Sequence, residues 1–158
     1  MHAVHGLLCV LLGWMNPNAV LPKAEFDRSV ADRAKMMGVP KEFVKNEAGY
    51  TIDFLHYMIE QRLPESFEVK TFVCSDFKPV NCRALIVGTG DHFFAIVKEG
   101  DSWFNMDSLF SNEKFSETCG MASNVRYVNK GMDGVLRILS KYPRGMCVGV
   151  YERPASPR

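Results

Sequence analysis

His92 and Asp107 are the pair in this sequence best spaced to act together. His92 opens the apolar run Phe93-Phe94-Ala95-Ile96-Val97, directly after the corner Gly88-Thr89-Gly90-Asp91. Asp107 closes Trp103-Phe104-Asn105-Met106, fifteen residues later. If the turn Glu99-Gly100-Asp101 joins the two runs as a hairpin, the first residue of one strand and the last of the other share an open end. An imidazole oriented by a carboxylate is the base half of a nucleophilic triad. The carboxylate fixes the tautomer and stabilises the imidazolium. The plain alternative is two polar residues that merely end two strands.

A triad also needs a nucleophile. The five cysteines are Cys9, Cys74, Cys82, Cys119 and Cys147. No Cys-x-x-Cys occurs, so a structural zinc site of that spacing is not expected. The count is odd and the chain can bury its own core, which reads as reduced thiols in a cytoplasmic or nuclear protein rather than a disulfide-stapled domain. Cys9 lies in the apolar run Leu7–Leu12 and reads as a small buried hydrophobe. Cys147 falls in a core strand pattern, Cys74 and Cys82 flank the Lys78-Pro79 loop, and Cys119 sits beside Gly120 in a loop. His56 falls in a helical segment and reads as a helix-surface or core-edge residue.

The positioning elements change character along the chain. Three helices come first. One is expected from about His2 to Leu12, stopped by Gly13 and Asn16-Pro17. A second runs from about Pro22 to Met37, with Phe26, Val30 and Met37 close to one face and Gly38 as the stop. A third begins near Gly49, carries Ile52, Leu55, Met58 and Ile59 at helical spacing, and ends before Pro64. Strands follow: 67–73 with period-two alternation, the short apolar run 83–87, then 93–97 and 103–106 as the hairpin. A late helix near Met132–Tyr142 leads to a final strand, Met146–Tyr151. Helices followed by a mostly antiparallel meander argue an α+β fold, not a doubly wound one. Trp103 is expected to pack under the His92 strand.

With 158 residues the chain suits one domain, taken as residues 1–152, with 153–158 as a frayed tail. Nineteen basic residues against eighteen acidic give a net charge of +1, which supplies no field for nucleic acid or an anionic membrane. The apolar run 6–15 has no preceding Lys or Arg and is too short to span a bilayer, so it reads as a buried helix rather than a signal peptide.

On these residues the sequence resembles the Josephin family, papain-like cysteine proteases that remove ubiquitin. Asp91–Val97 followed by Trp103-Phe104-Asn105-Met106-Asp107-Ser108-Leu109 is similar to the Josephin block around its catalytic His and Asn/Asp, with the spacing kept. Gly49-Tyr50-Thr51-Ile52-Asp53-Phe54-Leu55 resembles the family's middle helix. Val135–Leu139 and Cys147–Val150 resemble its last helix and strand. The segment Asn112–Asn129 is longer than the family's connection there.

The resemblance implies a papain-type domain, a helical lobe on an antiparallel sheet, with His92 as base and Asp107 as orienter. It also implies where the nucleophile should be. Josephin domains open their first helix with Cys-Ala-x-His and an apolar stretch, and His2-Ala3-Val4-His5 with Leu7, Leu11 and Gly13 fits that frame. His2 therefore stands in the nucleophile position. The family's oxyanion-stabilising Gln falls a few residues before the nucleophile, ahead of Met1. An imidazole offers no thiolate, and losing one triad member removes several orders of magnitude in rate.

The expected function is a catalytically impaired deubiquitinase that binds ubiquitin or a ubiquitinated partner through the 22–37 arm and the surface beside His92. The rivals are an active thiol hydrolase, using another of the five thiols or a different N-terminus, and a structural interaction module. A metal set of His2, His92 and Asp107 with His5 nearby is weighed against simple decay of the triad, and decay is preferred. No cofactor or metal is expected, and neither nucleic acid nor membrane is a partner.

Overall fold

The computed structural model describes residues 7–8, 11–13, 15, 21–46, 49–90, 92–106, 125–130 and 133–154. Residues 7–8, 11–13 and 15 are helical, and Leu8, Leu11 and Leu12 are buried in the core. Helix α1 (Lys23–Met37) enters from Pro22 and closes on Gly38, which takes φ +68°. That left-handed residue lets the Val39 N–H return to the Ala34 carbonyl at 3.0 Å. The helix buries Phe26, Val30 and Ala34.

The third expected helix starts later than Gly49. Helix α2 (Ile52–Arg62) is capped by Thr51, whose hydroxyl accepts the Phe54 N–H at 3.2 Å. Gly49 instead takes φ +121°. With Tyr50 it forms β2 (Gly49–Tyr50), which pairs with β1 (Lys45–Asn46). Tyr50 then stacks on Phe54 at 5.4 Å between ring centroids, and Phe26 packs on both rings. Between α1 and α2, Arg33 reaches both Asp53 oxygens at 3.1 and 3.2 Å, and Arg62 bonds Glu25.

The remaining strands are β3 (Phe67–Val73), β4 (Cys82–Gly88), β5 (Phe93–Glu99), β6 (Ser102–Met106), β7 (Val125–Lys130) and β8 (Met146–Glu152), with helix α3 (Asp133–Ser140) before the last. They form one six-stranded sheet in the order β3-β8-β4-β5-β6-β7. Every neighbouring pair is antiparallel. The architecture is thus α+β. The meander β4–β7 is continuous, but the final strand does not extend it: β8 inserts between β3 and β4. Strand β7 begins inside the 112–129 stretch expected to be connection and runs one residue past it.

The central strands are apolar on both faces because both faces are covered. Ala84, Ile86, Ala95, Val97, Val148 and Val150 face the helical lobe, with Leu8, Phe26 and Phe54. Leu85, Val87, Phe94, Ile96 and Cys147 face the other way, with Val135 and Leu139 of α3. Edge strand β3 buries Val69 but leaves both Lys70 and Thr71 exposed, so its burial follows the alternation of its sequence only in part. Trp103 is buried on the α3 side, beneath the ammonium of Lys98 at 5.9 Å.

Candidate functional site

The β5–β6 hairpin forms as its sequence requires. Glu99 pairs with Ser102 across Gly100-Asp101, and Gly100 takes φ +60° at the first turn position, where a type II′ turn favours glycine. The ladder then runs to Ala95 opposite Met106. His92 lies at the open end of this hairpin and also closes the preceding corner. Its carbonyl accepts the Thr89 N–H at 3.0 Å and the Thr89 hydroxyl at 3.3 Å, just beyond the Gly88–Phe93 pair. The backbone of His92 is therefore held from two sides. Its ring stands 6.4 Å from that of Phe94. Asp107 follows Met106 in the chain but, like His2, His5, Cys9 and Cys119, lies outside the described residues.

The same corner forms one wall of an open cleft of about 580 Å³ at the end of the sheet. Gly88, Thr89, Gly90 and Phe93 meet Tyr50 and Ile52 from the lobe and residues 142–146 from the turn before β8. This volume falls within the range of ligand-binding clefts. The lining is mainly apolar, with Tyr50, Phe93 and Tyr142 as aromatic walls and, among the described residues, Arg144 as its one charged side chain.

Two glycines shape the floor. A methyl on Gly88 would lie 2.7 Å from the Phe93 ring. One on Gly145 would lie 3.0 Å from the Cys74 sulfur and 3.1 Å from the carbonyl oxygens of Gly88 and Tyr142. Both glycines are buried, and their missing side chains let Phe93, Cys74 and the neighbouring backbone pack closely beneath the cleft. Tyr50, Tyr142 and Gly145 were not among the residues expected from sequence to matter. The corner Gly88-x-Gly90 and the turn Pro143-Arg144-Gly145 were the available signals.

None of the three described thiols is open to a peptide or isopeptide carbonyl. Cys74, Cys82 and Cys147 are all buried. Burial raises the Cys74 and Cys147 thiols and pushes Cys82 up to about 12. A nucleophilic cysteine needs the opposite shift and an electropositive, partly open setting. Among the described residues no group of three His, Cys, Asp or Glu is placed to hold a metal ion.

His56, expected as a helix-surface or core-edge residue, is half-buried in a smaller polar cleft. Its Nδ1 is 2.7 Å from the Thr71 hydroxyl, and its Nε2 is 3.4 Å from Glu60 one helical turn on. The Arg33–Asp53 pair lines the same cleft, with the Arg33 guanidinium 4.8 Å from the Tyr57 ring. The hydrogen bond to Asp53 is the main influence holding that guanidinium above its ordinary pKa. These groups connect α1, α2 and β3, and an i, i+4 His–Glu contact of this kind is common on helices.

No helix among the described residues is long and apolar enough to cross a membrane. No family model matches the chain, and no curated protein matches it either.

Proposed function

We propose that this is a Josephin-like, ubiquitin-directed domain in which hydrolysis is impaired and binding is retained. The observation that carries the reading is the mouth of the β5–β6 hairpin. The His92 carbonyl is held there by Thr89, His92 itself adjoining but not lining the cleft that Thr89 and Phe93 wall, and β6 runs back toward the same end before Asp107. An open, mainly apolar cleft suits an extended peptide, the form in which a papain-type site takes the tail of ubiquitin. The helical lobe on one face of an antiparallel sheet agrees with a papain-type layout. With His2 in the nucleophile position and Cys74, Cys82 and Cys147 buried, the described thiols supply no substitute. A cytoplasmic or nuclear location goes with this reading.

Two measurements test it. Titrating isotope-labelled domain with ubiquitin should give saturable shifts at Phe93, Tyr142 and Gly145; no binding at millimolar ubiquitin refutes the proposal. A ubiquitin carrying a thiol-reactive C-terminal electrophile should leave no adduct. A stoichiometric adduct would show the nucleophile to be intact and overturn the impairment.

A further inference from the structure

We propose that Cys74 and Cys147 form a reversible dithiol–disulfide couple beneath the rim of the cleft. The two sulfurs stand 3.3 Å apart although the residues are 73 positions apart in sequence. A disulfide needs about 2.05 Å, so side-chain rotation must close roughly 1.2 Å. The backbone around the pair is already joined. Val73 pairs with Met146 at the end of the β3–β8 ladder, and the Cys74 N–H donates to the Gly145 carbonyl at 2.9 Å.

Both residues belong to the cluster on the α3 side of the sheet. Cys82 shares that cluster, but its sulfur is directed at the Ala84 carbonyl at 3.5 Å. It therefore serves as an internal control. Gly145 ties the pair to the cleft: it is one of the lining residues, and a side chain there would lie 3.0 Å from the Cys74 sulfur. The inference does not depend on ubiquitin binding.

A peroxide is the oxidant small enough for this site. The Cys74 thiolate attacks one peroxide oxygen, the O–O bond breaks, and the departing hydroxide leaves as water with the thiol's proton. Cys74 becomes a sulfenic acid. The Cys147 sulfur then attacks the Cys74 sulfur, the S–O bond breaks, and a second water carries off the Cys147 proton. The two sulfurs lose two electrons and the peroxide gains them. Cys74 reacts first because it is the less buried of the pair. A small thiol reductant reverses the bond by exchange.

The full chain, undenatured, is exposed to hydrogen peroxide; its free thiols are then alkylated in urea, and it is digested without reductant for mass spectrometry. The expected product is a peptide pair joined through Cys74 and Cys147, two hydrogens lighter than its parts, with Cys82 alkylated. Dithiothreitol added before alkylation should abolish it. Its initial rate should rise about tenfold from pH 7 to pH 8, because burial leaves thiolate scarce. A Cys82→Ser variant should keep the link. The proposal is overturned if Cys74 proceeds to sulfinic acid while Cys147 is alkylated. It is equally overturned if other pairings dominate, or if the link forms only in urea.

Discussion

Gly88→Ala probes the cleft where its floor meets the hairpin. Alanine at an ordinary backbone angle restricts the unfolded chain and by itself adds about 0.4–1 kcal/mol of stability. Gly88 is not in the left-handed region, so that gain is open to it. The native state opposes it. The new methyl would stand 2.7 and 3.1 Å from two carbons of the Phe93 ring, while the Met146 carbonyl at 3.6 Å is an ordinary contact. Carbon atoms rest at about 3.5–4.0 Å, so the ring must withdraw by roughly 1 Å. Phe93 packs partly against the helical-lobe core and partly lines the cleft. Its retreat is therefore into the cleft, with loss of core contact. Overpacking of this kind costs about 1–3 kcal/mol, and the entropic gain leaves a net loss of roughly 0.5–2 kcal/mol.

Urea unfolding followed by tryptophan fluorescence, from Trp14 and the buried Trp103, measures that loss. The thermal midpoint should fall by about 2–4 °C for each kcal/mol lost in a domain of this size. A double-mutant cycle isolates the cause, since on a Phe93→Ala background the alanine at position 88 meets no ring and should be neutral or stabilising. Unchanged stability in Gly88→Ala, or an equal loss on the Phe93→Ala background, would refute the reasoning.

Gly149→Ala, in β8 between Lys70 and Leu85, should lower the urea midpoint by an amount equivalent to about 1–3 kcal/mol. Its methyl would lie 2.6 Å from the Tyr151 ring and 2.9 Å from that of Phe72, and a midpoint at or above wild type would contradict this packing. Stability should decline at alkaline pH. The Cys82 thiol rises from 9.0 to about 12 on folding, so the native state keeps a proton that the unfolded chain releases. The contribution, up to about 4 kcal/mol, is full below about pH 9 and lost as pH rises toward 12. Cys82→Ala should flatten the slope without abolishing it, since Cys147 and Tyr151 are shifted the same way; an unchanged slope argues against the assignment. Finally, His2→Cys should turn a chain inert to the ubiquitin electrophile into one that is labelled, with labelling lost again in His2→Cys/His92→Ala. A variant that binds ubiquitin but stays unlabelled would show that more than the nucleophile has decayed.

Local patterns carried the fold a long way. The alternation Phe67-Glu68-Val69-Lys70-Thr71-Phe72-Val73 marks an edge strand with half-buried faces, and β3 is one. The continuous apolar run Met146–Tyr151 marks a strand covered on both sides. That already argued against placing β8 at the end of a meander. The start of α2 was misread because apolar spacing does not distinguish a first turn from the cap before it. Thr51, with a hydroxyl that accepts an N–H three residues on, was the better signal. Strand β7 went unrecognised because Val125-Arg126-Tyr127-Val128-Asn129-Lys130 has no clean apolar face. Its pairing with β6 also carries a register shift beside Trp103.

The site divides along the same line. Whatever depends on neighbours in sequence could be read: the hairpin, its glycine turn, and His92 at its mouth. The cleft could not, because its lining comes from the entry to α2, the β4–β5 corner and the turn before β8. Nor could the fate of the thiols. Cys74, Cys82 and Cys147 converge on one face of the sheet from three separate segments, where burial makes each a poorer nucleophile. Sequence alone left them open as replacements for the cysteine that the Josephin resemblance would expect at position 2. Their burial opposes that role, and the same packing brings two of the sulfurs within reach of each other. Burial thus argues against acyl transfer by these described cysteines, the close approach of two of them is what the proposed oxidation would use, and the binding proposed beside His92 would need no thiol.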